Sequence, residues 1–204
     1  SDLDSNINMS QLKRKRRRNS SPQKAEEETN VLFLGDSKKK ISQILSNDDD
    51  TNICFSDRLL RFTPNMKLVQ YQLVITEKKI YLLKDKSGKL KDSLSLNLIK
   101  AICLSHQSDN FMLIKVKTQD DIILVSRRKT KITEILMRQS MNENSAVPLS
   151  TMDRFTFTMN SMKYIMVFTR EKDYSVRTSI YAEKQQDSLT YDSKAGKKRA
   201  KRSE

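Results

Sequence analysis

Glycine and proline are nearly absent, with three of each in 204 residues, and the chain has no tryptophan and a single histidine. So few glycines exclude the phosphate-cradling loops of nucleotide-binding proteins, which need several positions where the backbone closely approaches its ligand. The one histidine, His106, falls in an expected turn between strands with no cysteine beside it, so a surface imidazole describes it better than a general base. No serine stands in a GxSxG setting, and the paired acids Asp120 and Asp121 open an expected strand after a turn, as loop residues do. The reading is of a protein that is not an enzyme and takes no cofactor. The two cysteines, Cys54 and Cys103, each sit inside an apolar run without CxxC or Cys/His spacing. They read as small core residues of a reduced, intracellular protein, not as a disulfide or a metal site. No apolar run nears the roughly 18 residues of a membrane-spanning helix, and the amino end carries no hydrophobic signal segment. The chain is expected to be soluble, or to touch a membrane only from outside.

Basic charge is what the sequence has in excess: 39 Lys and Arg against 25 Asp and Glu, a net +14. An excess of that size suggests an anionic partner. Residues 31–182 hold 25 of the basic and 16 of the acidic groups, so the folded part expected there carries +9 by itself. Residues 1–30 are polar and contain the run KRKRRR, which is Lys13, Arg14, Lys15, Arg16, Arg17 and Arg18. Too little apolar surface is available to order such a segment, and it reads as a disordered basic tail. Residues 183–204, with KKRAKR at 197–202, read as a second one. The first run fits either a nuclear-import or nucleic-acid patch or a polybasic arm for an anionic membrane or another acidic surface. Phosphorylation of Ser20 or Ser21 beside it would weaken its electrostatics.

Between the tails the apolar pattern changes period twice. Residues 36–46, DSKKKISQILS, place Asp36 at a helix start and Ile41, Ile44 and Leu45 on one face, which predicts a short amphipathic helix ended by Asp48, Asp49 and Asp50. Those three carboxylates lack the ligand alternation and glycine of a calcium loop, and read as a solvated turn. Seven strands are expected at 53–62, 71–76, 79–83, 90–96, 99–105, 111–117 and 121–126, separated by turn residues such as Thr63-Pro64-Asn65 and Ser87-Gly88. From Thr130 the spacing becomes helical, with Ile132, Ile135, Leu136 and Gln139 on one face. Beyond Pro148, RFTFTM at 154–159 and the run 164–169 alternate again, as one further hairpin. The fold class is mainly β with helices: an antiparallel barrel or sandwich closed by a carboxyl-terminal helix, plus the short first helix and the extra hairpin.

Taken in order, LGDSKKKISQIL, FSDRLLRFTPNMK, YQLVITEKKIYLL, SLSLNLIKAICLSHQSDNFMLIKV, DDIILVSRRKTKITEIL and the RFTFTM and KYIMVFT pair resemble the tail homology 1 domain of class I myosins. The likeness covers roughly 31–178 and rests on order and spacing. It implies a pleckstrin-homology-like core at about 52–142, within a domain at 31–182 with the extra hairpin at 150–170. It also implies binding of anionic phospholipids, notably phosphoinositides, by basic residues around the first hairpin. Arg61 fits the family's basic position at the end of the first strand, if the loop is one residue short. The second such position is Tyr71, a departure that removes one of the two groups needed to grip a multiply phosphorylated headgroup. Lys67 offers a replacement from the loop, and Lys84, Lys86, Lys89 and Lys91 crowd the next loop expected at the same end, where they also fit an edge-protecting hairpin. A second basic cluster, Arg127, Arg128, Lys129 and Lys131, begins the closing helix, where it opposes the helix dipole and suggests an interaction surface. No nucleotide loop or IQ-type spacing occurs in residues 1–30, and the basic ends favour a stand-alone relative over a cut tail.

The leading expectation is a non-enzymatic peripheral-membrane and cytoskeletal adaptor in the cytoplasm that binds anionic phospholipid. The alternative is a structural subunit docking in a large myosin-, actin- or microtubule-associated assembly. A third reading, a nuclear protein holding nucleic acid through its tails, lacks exposed aromatics that would stack bases.

Overall fold

A computed structural model describes residues 38–50, 52–142 and 146–183. The expectations for residues 1–30, including Lys13–Arg18, Ser20 and Ser21, for Asp36 as a helix start, and for the basic run at 197–202 fall outside the described residues. Among the described residues no helix is long and apolar enough to cross a membrane.

The described residues open with α1 (Lys38–Asn47) and run through β1 (Ile53–Thr63), β2 (Lys67–Thr76), β3 (Lys79–Lys84) and β4 (Leu90–Ser95). A 3-10 turn, Leu96–Leu98, leads to β5 (Ile99–Leu104), β6 (Phe111–Val116), β7 (Ile122–Val125) and α2 (Lys129–Asn142). Then follow β8 (Leu149–Thr151), β9 (Arg154–Met159), β10 (Met162–Arg170) and β11 (Val176–Ala182). One eight-stranded sheet has the order β4-β3-β2-β1-β7-β6-β5-β8, and β11-β10-β9 form a second sheet of three strands. Seven antiparallel strands followed by a helix is the pleckstrin-homology-like plan expected from the sequence. The sheet is curled but not closed, since β4 and β8 are its two ends, so the word barrel overstates it. The expected single hairpin after Pro148 is a three-stranded sheet, and β8 adds a short parallel edge to β5.

Many core strands read as continuous apolar runs, and the packing supplies the reason: both of their faces are covered. Inside the curl, Phe55, Leu59, Leu73, Ile75, Ile80, Leu82, Ile114 and Leu124 meet Ile132, Ile135 and Leu136 of α2. On the outer face of β5, β6 and β7, Cys103, Phe111, Leu113 and Ile123 lie under Phe155, Phe157, Met166 and Phe168 of the small sheet. On the outer face of β2 and β3, Val74, Tyr81 and Leu83 lie under Ile41 and Leu45 of α1. Each such side chain, taken out of water, contributes roughly 1.5–3 kcal/mol.

Two turns are fixed by carboxylates. The end of α1 is a Schellman arrangement: Asp49 takes the left-handed conformation (φ 50°), Asp50 N–H donates to Leu45 O at 2.9 Å, and Asp49 N–H donates to Ser46 O at 3.4 Å. Of the three acids there, only Asp49 is the expected solvated turn residue. Asp50 is 3% exposed and accepts from the hydroxyls of Thr76 and Tyr81, while Asp48 accepts from Lys79 Nζ at 2.8 Å and Tyr81 at 3.0 Å. The bond from Lys79, then that from Tyr81, holds the Asp48 carboxyl below the usual range, and burial followed by the neighbouring carboxylates pushes the Tyr81 phenol far up. The second turn, Asn160–Ser161, joins β9 to β10 with both residues left-handed (φ 52° and 60°), and Asp120 accepts from Asn160 N–H at 2.7 Å. The adjacent Asp121, buried, accepts from Val116 N–H at 2.9 Å, Thr158 N–H at 2.8 Å and Lys115 Nζ at 2.6 Å, tying the small sheet to the curled one.

Candidate functional site

The inward faces of β1 to β4 run out of apolar side chains at the end where β1 turns into β2 and β3 into β4. Side chains on one face recur every second residue. On β1 the inward series Phe55 and Leu59 is continued by Arg61 and Thr63. On β2 the series Ile75, Leu73 and Tyr71 passes to Val69 and Lys67. On β3 Ile80 and Leu82 give way to Lys84, and on β4 Leu94 gives way to Asp92. Where the apolar series stops, a cavity of about 420 Å³ opens, lined by Arg61, Thr63, Pro64, Asn65, Lys67, Val69, Tyr71, Lys84, Lys91 and Asp92.

Arg61 is the best-held group of this mouth. Its Nη2 bonds Asp92 Oδ2 at 2.7 Å, and its guanidinium lies over the Tyr71 ring, 5.7 Å from the centroid. The Arg61 side chain is only 16% exposed. Tyr71 therefore serves as a platform for Arg61, and the residue directly opposite it on β3 is Lys84. Lys67 is not a loop residue, because β2 begins there, four residues earlier than expected, and Thr63 Oγ1 donates to Lys67 O at 3.0 Å. Among the described residues the exposed ammonium groups of Lys67, Lys84 and Lys91 have no carboxylate partner. They line the cavity at little cost, since each still reaches solvent.

Lys86 and Lys89 belong to the turn between β3 and β4 and do not line the cavity. That turn is braced from two sides, by Lys40 Nζ donating to Ser87 O at 2.7 Å and by Arg58 pairing with Asp85 at 2.8 Å. The structure thus brings together Arg61, Lys67, Lys84 and Lys91 of the six basic residues named from the sequence, and leaves Lys86 and Lys89 beside them.

The cluster at the start of α2 is spent largely on the protein itself. Arg128 reaches Asp57 at 3.5 Å and stacks on Phe55, 4.6 Å from its centroid. Lys129 reaches Asp109 at 3.3 Å, and Lys131 pairs with Glu134 at 3.2 Å along the helix. Asp109 also accepts from Phe111 N–H at 2.7 Å and from the Ser105 hydroxyl, so Lys129 completes a buried acceptor set. Arg127 is exposed.

The remaining singled-out residues sit elsewhere. His106 lies at the turn after β5, 3.5 Å from Asp153, whose carboxyl is held below its usual range first by the bond from Gln107. Cys103 is buried, Cys54 half-buried, and burial pushes both thiols up. Asp92 was missed from the sequence. Its signal was the period of two: it precedes the buried Leu94 by two residues and so shares its inward face.

A family model described as unconventional myosin tail, actin- and lipid-binding, matches residues 7–198. No curated protein matches the chain. Among solved structures it is similar to the C-terminal domain of an unknown protein from Leishmania infantum, at 18% identity over 51% of this chain and 97% of that one, TM-score 0.43. It is also similar to the hSac2 domain of the human phosphoinositide phosphatase Sac2, at 17% identity over 56% of this chain and 88% of that one, TM-score 0.41. A third likeness is to the complex of human RhoA with the DH/PH fragment of PDZRHOGEF, at 14% identity over 55% of this chain and 36% of that one, TM-score 0.43.

Proposed function

The chain belongs to the unconventional myosin tail family, and from that premise we propose that it is a non-enzymatic adaptor whose mouth cavity holds the headgroups of anionic phospholipids. The observation that carries the reading is the convergence of Arg61, Lys67, Lys84 and Lys91 on one open cavity whose lining contains a single carboxylate. Guanidinium and ammonium groups donate charge-assisted bonds to phosphate oxygens, and a cavity open to one side admits a headgroup still attached to its bilayer. The exposed Lys86 and Lys89 flank it and add long-range attraction to an anionic leaflet.

The test is co-sedimentation with vesicles of phosphatidylcholine containing phosphatidylserine. Binding is expected at low salt and falls steeply as salt screens the contact. Binding no better than to phosphatidylcholine alone overturns the reading.

The family description also names actin, which favours a second reading: the domain docks on an acidic filament through its basic surface. Co-sedimentation with actin filaments in the absence of lipid separates the two. A location at the membrane or the cytoskeleton follows from either.

A further inference from the structure

The cavity contains a feature that works against the anion it faces. Asp92, the one acid in its lining, is bonded to its one guanidinium, Arg61, at 2.7 Å. Tyr71 closes the other side of the same guanidinium as an uncharged ring, at the position directly opposite Lys84. Arg61 is therefore spoken for from two directions. The open cations, Lys67, Lys84 and Lys91, stand on β2, β3 and β4.

Resting on the lipid reading above, we propose that Asp92 sets the headgroup selectivity of the mouth by withholding Arg61. A headgroup with one phosphate is satisfied by the three lysines. One with further phosphates on its ring must place a second dianionic group near Arg61, where it meets the Asp92 carboxylate and has to displace it. Like charges brought together in a half-desolvated recess repel strongly. The cavity therefore responds to the charge of an anionic bilayer surface and gives polyphosphorylated headgroups no advantage beyond that charge.

The substitution Asp92→Asn tests this, because the amide keeps the shape and can still accept from Arg61 while losing the negative charge. Two vesicle sets are used at matched total charge, one with phosphatidylserine and one with phosphatidylinositol bisphosphate. The wild type is expected to bind both within about twofold, since exposed lysines respond to charge density and not to its arrangement. The variant is expected to gain about tenfold on bisphosphate vesicles, the size of one released charge-assisted contact, and at most about twofold on phosphatidylserine. Adding Arg61→Gln to Asp92→Asn removes the selective gain, which a general loosening of the fold would not do, and thermal unfolding confirms that both variants are folded.

Equal gains on the two vesicle sets overturn the proposal, as does no gain, or a wild type that already prefers bisphosphate by about tenfold. A wild type that binds neither set at low salt overturns the lipid reading itself, a result distinct from failure of the selectivity alone.

Discussion

Arg61, Lys67, Lys84 and Lys91 at the mouth of the curled sheet and Arg127, Arg128, Lys129 and Lys131 at the start of α2 are both groups of four basic residues, read alike from the sequence as interaction surfaces. Their surroundings divide them. At the helix start Arg128 and Lys129 find Asp57, 8% exposed at its side chain, and Asp109, 5% exposed, and so serve as counter-ions for acids the core has enclosed. At the mouth one carboxylate serves four cations, and three of them are left facing an open recess. What a basic residue does is thus decided by how many acids the fold brings to it, which local charge density does not reveal.

The comparison can be broken most forcefully at Arg128. Arg128→Ala strips Asp57 of its guanidinium and Phe55 of its stacked partner, and is expected to cost about 2–3 kcal/mol of stability in a denaturant titration. Vesicle binding by the fraction still folded is expected to stay unchanged. An unaltered midpoint together with lost binding would invert the assignment of the two clusters.

Lys84→Glu should do the reverse. Folding stability is expected to move by less than about 0.5 kcal/mol, as for an exposed side chain. Affinity for phosphatidylserine vesicles falls roughly 30-fold, because each basic group near an anionic leaflet is worth about 1 kcal/mol and reversal counts it twice. The same reversal at Lys86, outside the cavity lining, is expected to cost clearly less; equal losses at the two positions would reduce the mouth to diffuse attraction.

The smallest effect concerns a third meeting of acid and base, Asp48 with Lys79. The folded state holds the Asp48 carboxyl below its ordinary value of 3.8, first through Lys79 and then through Tyr81. Its stabilisation is present above that value and is lost as pH falls through the lower folded-state value. Asp48→Asn is therefore expected to lower stability slightly near neutrality and to flatten the acid limb of a melting-temperature profile below pH 3.8. An acid limb as steep as that of the wild type would assign the contact no energetic role.

Of the strands that form the mouth, β1 is legible through Arg61, two residues after the inward Leu59, whereas the first four residues of β2, Lys67 among them, and the last of β3, Lys84, fall in expected loops. The covering of the outer faces was less so. RFTFTM announces β9 by alternation, whereas β11 alternates weakly and β8 is three residues long, too short for any period to register. The burial of Asp50 could not be read locally at all, since the hydroxyls that receive it, on Thr76 and Tyr81, stand 26 and 31 residues away. For the same reason Arg61 and Asp92, also 31 residues apart, became a pair only once four strands were in register.

The small carboxyl-terminal sheet has a practical corollary for anyone dissecting the protein. A fragment ending with α2 would retain β1 to β7 and every residue of the mouth, and would look complete by the pleckstrin-homology plan. It would also lay bare Phe111, Leu113, Ile123 and Cys103, a sticky apolar wall that Phe155, Phe157 and Phe168 otherwise shield. Such a fragment is expected to precipitate or self-associate, so the shortest well-behaved piece extends through Ala182, where β11 ends.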